Sequence, residues 1–119
     1  MLSIKLQPLM LFLRKMSKLD VRSLSVNHDK KNTEFLIEIK DCPEKAFLSY
    51  EKINQSTVDL QHTVVPEVFR GQGVGKILAK TALDYVVENN LNMKLTCWYL
   101  QKYVKENPLP EYTERLTNP

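Results

Sequence analysis

The chain has 119 residues, 43% of them hydrophobic and 26% charged, with a net charge of +3. That length supports one domain around one core and excludes two. The mild positive balance, with no basic element interleaved with aromatics, argues against a nucleic-acid binder and suits an anionic small-molecule ligand. The two cysteines, Cys42 and Cys97, form neither a CxxC pair nor a zinc spacing with histidine. No disulfide framework and no metal site is therefore expected, and a reduced intracellular compartment is the simplest setting. No apolar run reaches the roughly 18 residues a membrane span needs.

Residues 1–19 carry Lys5, Arg14, Lys15 and Lys18, no acid, and the apolar stretch Leu9 to Leu13. Such a start is either an N-terminal extension without an address or a mitochondrial presequence. A secretory signal fits less well, because the apolar stretch is short and no A-x-A-like cleavage site follows. The cytoplasm is the first expectation and the mitochondrion the alternative. The domain proper is placed at 20–119.

Val21, Leu24 and Val26 suggest a first strand, and Asn27 to Asn32 a polar turn. Phe35, Ile37 and Ile39 alternate with Glu34, Glu38 and Lys40, the period of a half-buried strand. Asp41 to Glu44 breaks it. Ala46, Leu48 and Tyr50 mark a third strand, and Val58, Leu60, His62 and Val64 a fourth. Four strands joined by short turns form an antiparallel meander. After Pro66 the period changes. Val74, Ile77, Leu78, Thr81, Ala82, Tyr85 and Val86 predict a helix from about Gly73 to Glu88, stopped by Asn89-Asn90. Met93, Leu95 and Cys97 form a fifth strand, which the β-α-β spacing makes a parallel neighbour of the fourth. Trp98, Tyr99, Tyr103 and Val104 predict a second helix ending before Asn107-Pro108, and residues 110–119 one further short turn. The expected architecture is α+β: a mixed, mostly antiparallel five-stranded sheet with one crossover.

All three glycines of the chain fall between Gly71 and Gly75, where a strand hands over to a helix. The first amides of a helix are unpaired and the dipole there is positive, and glycines let a phosphate approach them. The spacing excludes two common phosphate loops. A dinucleotide fingerprint would need glycine where Lys76 stands. A Walker A loop would need four residues between its glycines and Ser or Thr where Ile77 stands. What remains is Arg70-x-x-Gly73-x-Gly75.

That motif, after a strand with a Val-x-Pro approach (Val64-Val65-Pro66), resembles the pyrophosphate motif of the Gcn5-related N-acetyltransferases. The strings Asp59-Leu60-Gln61-His62-Thr63 and Thr96-Cys97-Trp98-Tyr99 are similar to a compact branch of that superfamily. The resemblance covers roughly Val21 to Leu116. It implies a minimal acyl-CoA N-acyltransferase fold whose fourth and fifth strands splay apart, with acetyl-CoA in the gap and an unknown amine as the acceptor. Backbone groups of Val64 and Val65 would pair with the pantetheine. The amides of Gly71, Gln72, Gly73, Val74, Gly75 and Lys76, with Arg70 beside them, would hold the pyrophosphate, and Asn107 would reach the cofactor from a helix end.

Acetyl transfer needs a base for the amine and a proton for the departing thiolate. The fourth strand offers Asp59 and His62, with Glu67 just after it. His62 is the candidate base because its ordinary pKa lies near neutrality; the competing expectation packs it in the core beside Leu60 and Val64. Cys97 is a candidate nucleophile or a small buried hydrophobe. Tyr99 and Tyr103 are candidate proton donors or packing aromatics, and Trp98 is core or cleft wall. Larger members carry helices after the first strand where this chain has a six-residue turn. The acceptor side is therefore expected to be open and the protein a monomer or weak dimer. The alternative function is a non-catalytic acyl-CoA-binding or protein-interaction module.

Overall fold

The computed structural model describes residues 23–117. The expected extension over 1–19, and Val21 of the expected first strand, lie outside the described residues. Among those described, five strands form one sheet in the order β1-β2-β3-β4-β5: β1 Asn27–Asp29, β2 Glu34–Ile37, β3 Ala46–Lys52, β4 Thr57–Val64 and β5 Asn92–Leu95. The first four pair antiparallel, and β5 runs parallel to β4 with Leu60 opposite Leu95. Helix α1 (Val74–Glu88) makes the crossover, and α2 (Trp98–Glu106) and the one-turn α3 (Pro110–Thr113) follow β5. The α+β expectation stands.

β1 corrects the sequence reading. The residues read as a turn, Asn27 to Asp29, form the strand, and Leu24 and Val26 pack on the core without joining the sheet. Asn-His-Asp has little strand propensity of its own. Its partners stabilise it instead. His28 stacks on Phe35 at 4.1 Å and meets the Tyr50 hydroxyl at 2.7 Å. The turn shrinks to Lys30–Thr33, where Asp29 Oδ1 accepts the amide of Asn32.

The inner face of the sheet carries Phe35, Ile37, Ala46, Leu48, Tyr50, Val58 and Leu60, all buried in one core. Val74, Leu78, Ala79, Ala82, Leu83 and Val86 of α1 close over it, a stripe at helical spacing. Full burial of a side chain such as Leu78 or Leu83 is worth about 1.5–3 kcal/mol. Leu100 and Val104 of α2 and Tyr112 of α3 extend the same core. Asp84 of α1 accepts a hydrogen bond from the Tyr112 hydroxyl at 2.6 Å, which ties the C-terminal turn to the crossover helix. Beyond that turn the chain does something unexpected. The Met93 amide donates to Arg115 O and the Thr117 amide to Met93 O, so Leu116 bridges the outer edge of β5. This covers part of an edge that would otherwise present unpaired backbone groups.

One irregularity decides which side chains reach the site. Between β3 and β4 the register runs Tyr50 opposite Leu60, then Ser49 opposite His62, so Gln61 is an extra residue, a β-bulge. The bulge reverses the parity of β4. Val58 and Leu60 point into the core before it, and Thr63 and Val65 continue that face after it. His62 and Val64 turn to the other side, exposed. The packing of His62 beside Leu60 and Val64, drawn from unbroken alternation, is therefore incorrect.

Candidate functional site

The β4–β5 ladder ends at Leu60 and Leu95. There the amides of Thr96 and Cys97 both donate to the Leu60 carbonyl, each at 3.1 Å, and the chain turns into α2. β4 runs on to Val64, still paired with β3 on its other side. The two chains thus diverge from a vertex at Leu60, leaving one edge of β4 without a strand partner among the described residues. Cys97 is the N-cap of α2 and not the last residue of the fifth strand, as the sequence had suggested. Across the vertex, Asp59 is buried at 8% exposure. Its carboxylate accepts the Thr96 hydroxyl at 2.6 Å.

Past Val64 the chain enters a one-turn 3-10 segment, Glu67–Phe69, closed by Phe69 N to Pro66 O and anchored by the fully buried Phe69 ring. The glycine loop follows. Arg70 Nε donates to Val65 O at 3.1 Å and Gln72 Nε2 to Val68 O at 3.1 Å, pinning the loop to the end of β4. Gly71 and Gly73 adopt φ of 79° and 88°, the left-handed region where any side chain is strained. Gly73 is the N-cap of α1. No side chain caps this helix and no acid stands in its first turn; Lys76 stands there instead. A helix start with uncapped amides and a nearby cation favours negative charge.

Gly75 has a different reason. A Cβ there would lie 3.1 Å from the Tyr99 hydroxyl and 3.2 Å from the ring carbon bearing it. The third glycine therefore makes room for α2. Burial raises the Tyr99 pKa above 10, helped by Tyr103, Glu106 and Cys97 nearby. Its hydroxyl keeps its proton at neutral pH.

Strand end, loop and helix start enclose a cleft of about 550 Å3 lined by Thr63, Val65, Phe69, Arg70, Gly71, Gly73, Val74, Gly75, Lys76, Cys97, Trp98 and Tyr99. Of the residues proposed from sequence, it brings together Val65, Arg70, Gly71, Gly73, Val74, Gly75, Lys76, Cys97 and Tyr99. The side chains of the others lie outside this lining. Val64 is 42% exposed on the far face, and His62 shares that face. The Gln72 side chain serves the loop, and Asn107 donates its side-chain amide to Tyr103 O at the end of α2. Glu67 is exposed outside the lining. Thr63 and Phe69 were missed. Only the bulge puts Thr63 in the wall, with its hydroxyl 3.5 Å from Cys97 Sγ. Phe69, a lone aromatic between Pro66 and the glycines, was the available signal for an anchored turn. Trp98 stands at the cleft, 71% exposed. Among the described residues, no group of three or more His, Cys, Asp or Glu side chains could hold a metal, and no helix is long and apolar enough to cross a membrane.

A parallel strand pair that parts at Leu60, with the uncapped start of the crossover helix beside it, is the scaffold of this site, and the comparisons give its class. The profile of the GCN5-related N-acetyl-transferase family matches residues 34–115, and the chain belongs to that family. It is 56% identical over 94 residues to Protein NATD1 of Xenopus tropicalis, spanning 79% of this chain and 86% of that one. It is 54% identical to human Protein NATD1, spanning 78% and 82%. The NMR structure of a GCN5-like protein from Staphylococcus aureus superposes with a TM-score of 0.61 over 81% of this chain and 90% of that one, at 23% identity. That last likeness is one of fold.

Proposed function

We propose that this protein binds acetyl-CoA in the cleft between β4 and α2 and transfers the acetyl group to an amine acceptor. The observation that carries the reading is the start of α1: uncapped amides, no acid, and Arg70 and Lys76 beside them. This is the arrangement a diphosphate completes. The family supports the same ligand. The unpartnered edge of β4 beyond Leu60 offers backbone groups to an extended chain, as in strand addition, and Val65 and Phe69 supply apolar wall. Acetyl-CoA brings an activated thioester. The chain's own contribution is to hold the diphosphate, screen the thioester from water, and keep a proton on Tyr99 Oη.

Calorimetry with acetyl-CoA tests the binding. Lys76→Glu, an exposed change on α1 that strains no backbone, is expected to weaken binding at least tenfold by placing a like charge at the phosphate seat. Equal affinity in parent and variant would remove the assignment. A second reading, a non-catalytic acyl-CoA-binding module, is favoured by one observation: no carboxylate or imidazole lines the cleft. Labelled acetyl-CoA with a panel of amines and peptides separates the two, since transfer faster than the spontaneous rate without protein requires catalysis.

A further inference from the structure

We propose that the cleft between α2, β5 and the segment after α3 is a second ligand site, which takes a small apolar molecule carrying one carboxylate. The cleft holds about 580 Å3, within the range of small-molecule sites. It shares no lining residue with the glycine-loop cleft. Both sit against α2, the first at Trp98 and Tyr99, the second farther along at Gln101, Val104 and Lys105. The second site is therefore independent of the acetyl-CoA reading.

The walls set the body of the ligand. Leu95, Val104, Pro108 and Leu116 give the cleft apolar sides. Val104 belongs to the core, whereas Leu116 is 37% exposed. Leu116 is held in that position by backbone pairing: the Met93 amide donates to Arg115 O and the Thr117 amide to Met93 O. The outer wall is thus fixed to β5, and it presents apolar surface that a ligand would remove from water.

The charges set the head group. Lys94 and Lys105 both line the cleft, and no carboxylate or imidazole does. Among the described residues, neither ammonium has an ion-pair partner. Asp59, the register partner of Lys94, gives its carboxylate to the Thr96 hydroxyl instead. The uncharged donors of the walls are engaged. Gln101 Nε2 donates to Leu95 O, Thr113 Oγ1 to Pro110 O and Thr117 Oγ1 to Met93 O. The two lysines are left to meet an anion on an apolar body. No arginine lines the cleft, so it lacks the fork that grips a phosphate bidentately, and a carboxylate is the fitting anion.

NMR titration of the isotope-labelled full chain with sodium octanoate tests the site. The amides of Leu95, Val104, Thr113 and Leu116 are expected to shift and saturate, with Gly71, Gly73 and Val74 unmoved. Hexanoate binds more weakly than octanoate, since each buried methylene is worth up to about fourfold. Octanol, which has the body without the charge, binds at the same amides about fivefold more weakly. Lys94→Gln/Lys105→Gln alters two exposed side chains. It should lower octanoate affinity to the octanol level and leave octanol unchanged, whereas Leu116→Ser should weaken both. Shifts confined to the glycine loop, shifts that never saturate, or an octanoate affinity that the double lysine variant leaves intact would each overturn the site.

Discussion

Gly75 and Tyr99 give the most direct check on how the site is built. In Gly75→Ala the new Cβ meets the Tyr99 hydroxyl at 3.1 Å, where ordinary contact begins at 3.4 Å, so the ring must retreat by about 0.3 Å. Against that, alanine is favoured over glycine in a helix by about 0.5–1 kcal/mol. The two effects nearly cancel, and the single substitution is expected to change stability by less than about 1 kcal/mol. The informative quantity is the coupling. Tyr99→Leu removes the hydroxyl and the ring carbons that crowd the site. Gly75→Ala should then be more favourable in that background by about 0.5–1 kcal/mol, within the range for residues in contact. Urea unfolding of the parent, both single variants and the double variant measures it. Calorimetry on Gly75→Ala should show weaker acetyl-CoA binding despite near-parental stability, because Tyr99 lines the cleft and has moved. A coupling below about 0.3 kcal/mol, the level at which independent sites add, would mean that Gly75 does not exist to seat Tyr99.

Two further outcomes follow from the fold. Burial, with Lys30 and Lys52 nearby, holds the His28 imidazole below its usual 6.5. The folded state thus favours the neutral ring. That contribution is complete above about pH 6.5, where the unfolded chain is also neutral, and is lost as pH falls toward the lowered folded value. Melting temperature should therefore drop between pH 7.5 and 5, and the drop should be smaller in His28→Gln; an equal drop would show that His28 is not the group responsible. Separately, Tyr112→Phe removes the bond to Asp84 from a nearly sealed position, and should cost about 1–2 kcal/mol in urea unfolding. A loss under 0.5 kcal/mol would mean that the C-terminal turn is held by packing alone.

What was legible in the sequence was what local chemistry decides. The alternation of Ala46, Leu48 and Tyr50 and the helical stripe from Val74 to Val86 are properties of single elements, and both formed where their periods placed them. The glycine motif announced its helix start, because positive φ at a strand-to-helix handover is a local demand on residue type. The β-α-β spacing made β5 parallel to β4 through the handedness and length of the crossover. The site was legible to the same extent: the loop half of the cleft, Arg70 to Lys76, but less of its walls.

The rest depended on partners distant in sequence. Asn27 to Asp29 carries no strand signal and becomes a strand because Phe35 and Tyr50 receive His28. Leu116 bridges β5 just past α3, which Tyr112 ties to α1. Most consequential is the bulge at Gln61. Alternation read along β4 assigns His62 and Val64 to the face of Leu60, and one extra residue gives that face to Thr63 and Val65 instead. A bulge is a property of a strand pair, set by how β3 and β4 twist together. The sequence by itself thus determined the glycine-loop end of the cleft, and the tertiary structure alone decided which side chains stand at its vertex, because a one-residue change of register reverses every side chain beyond it.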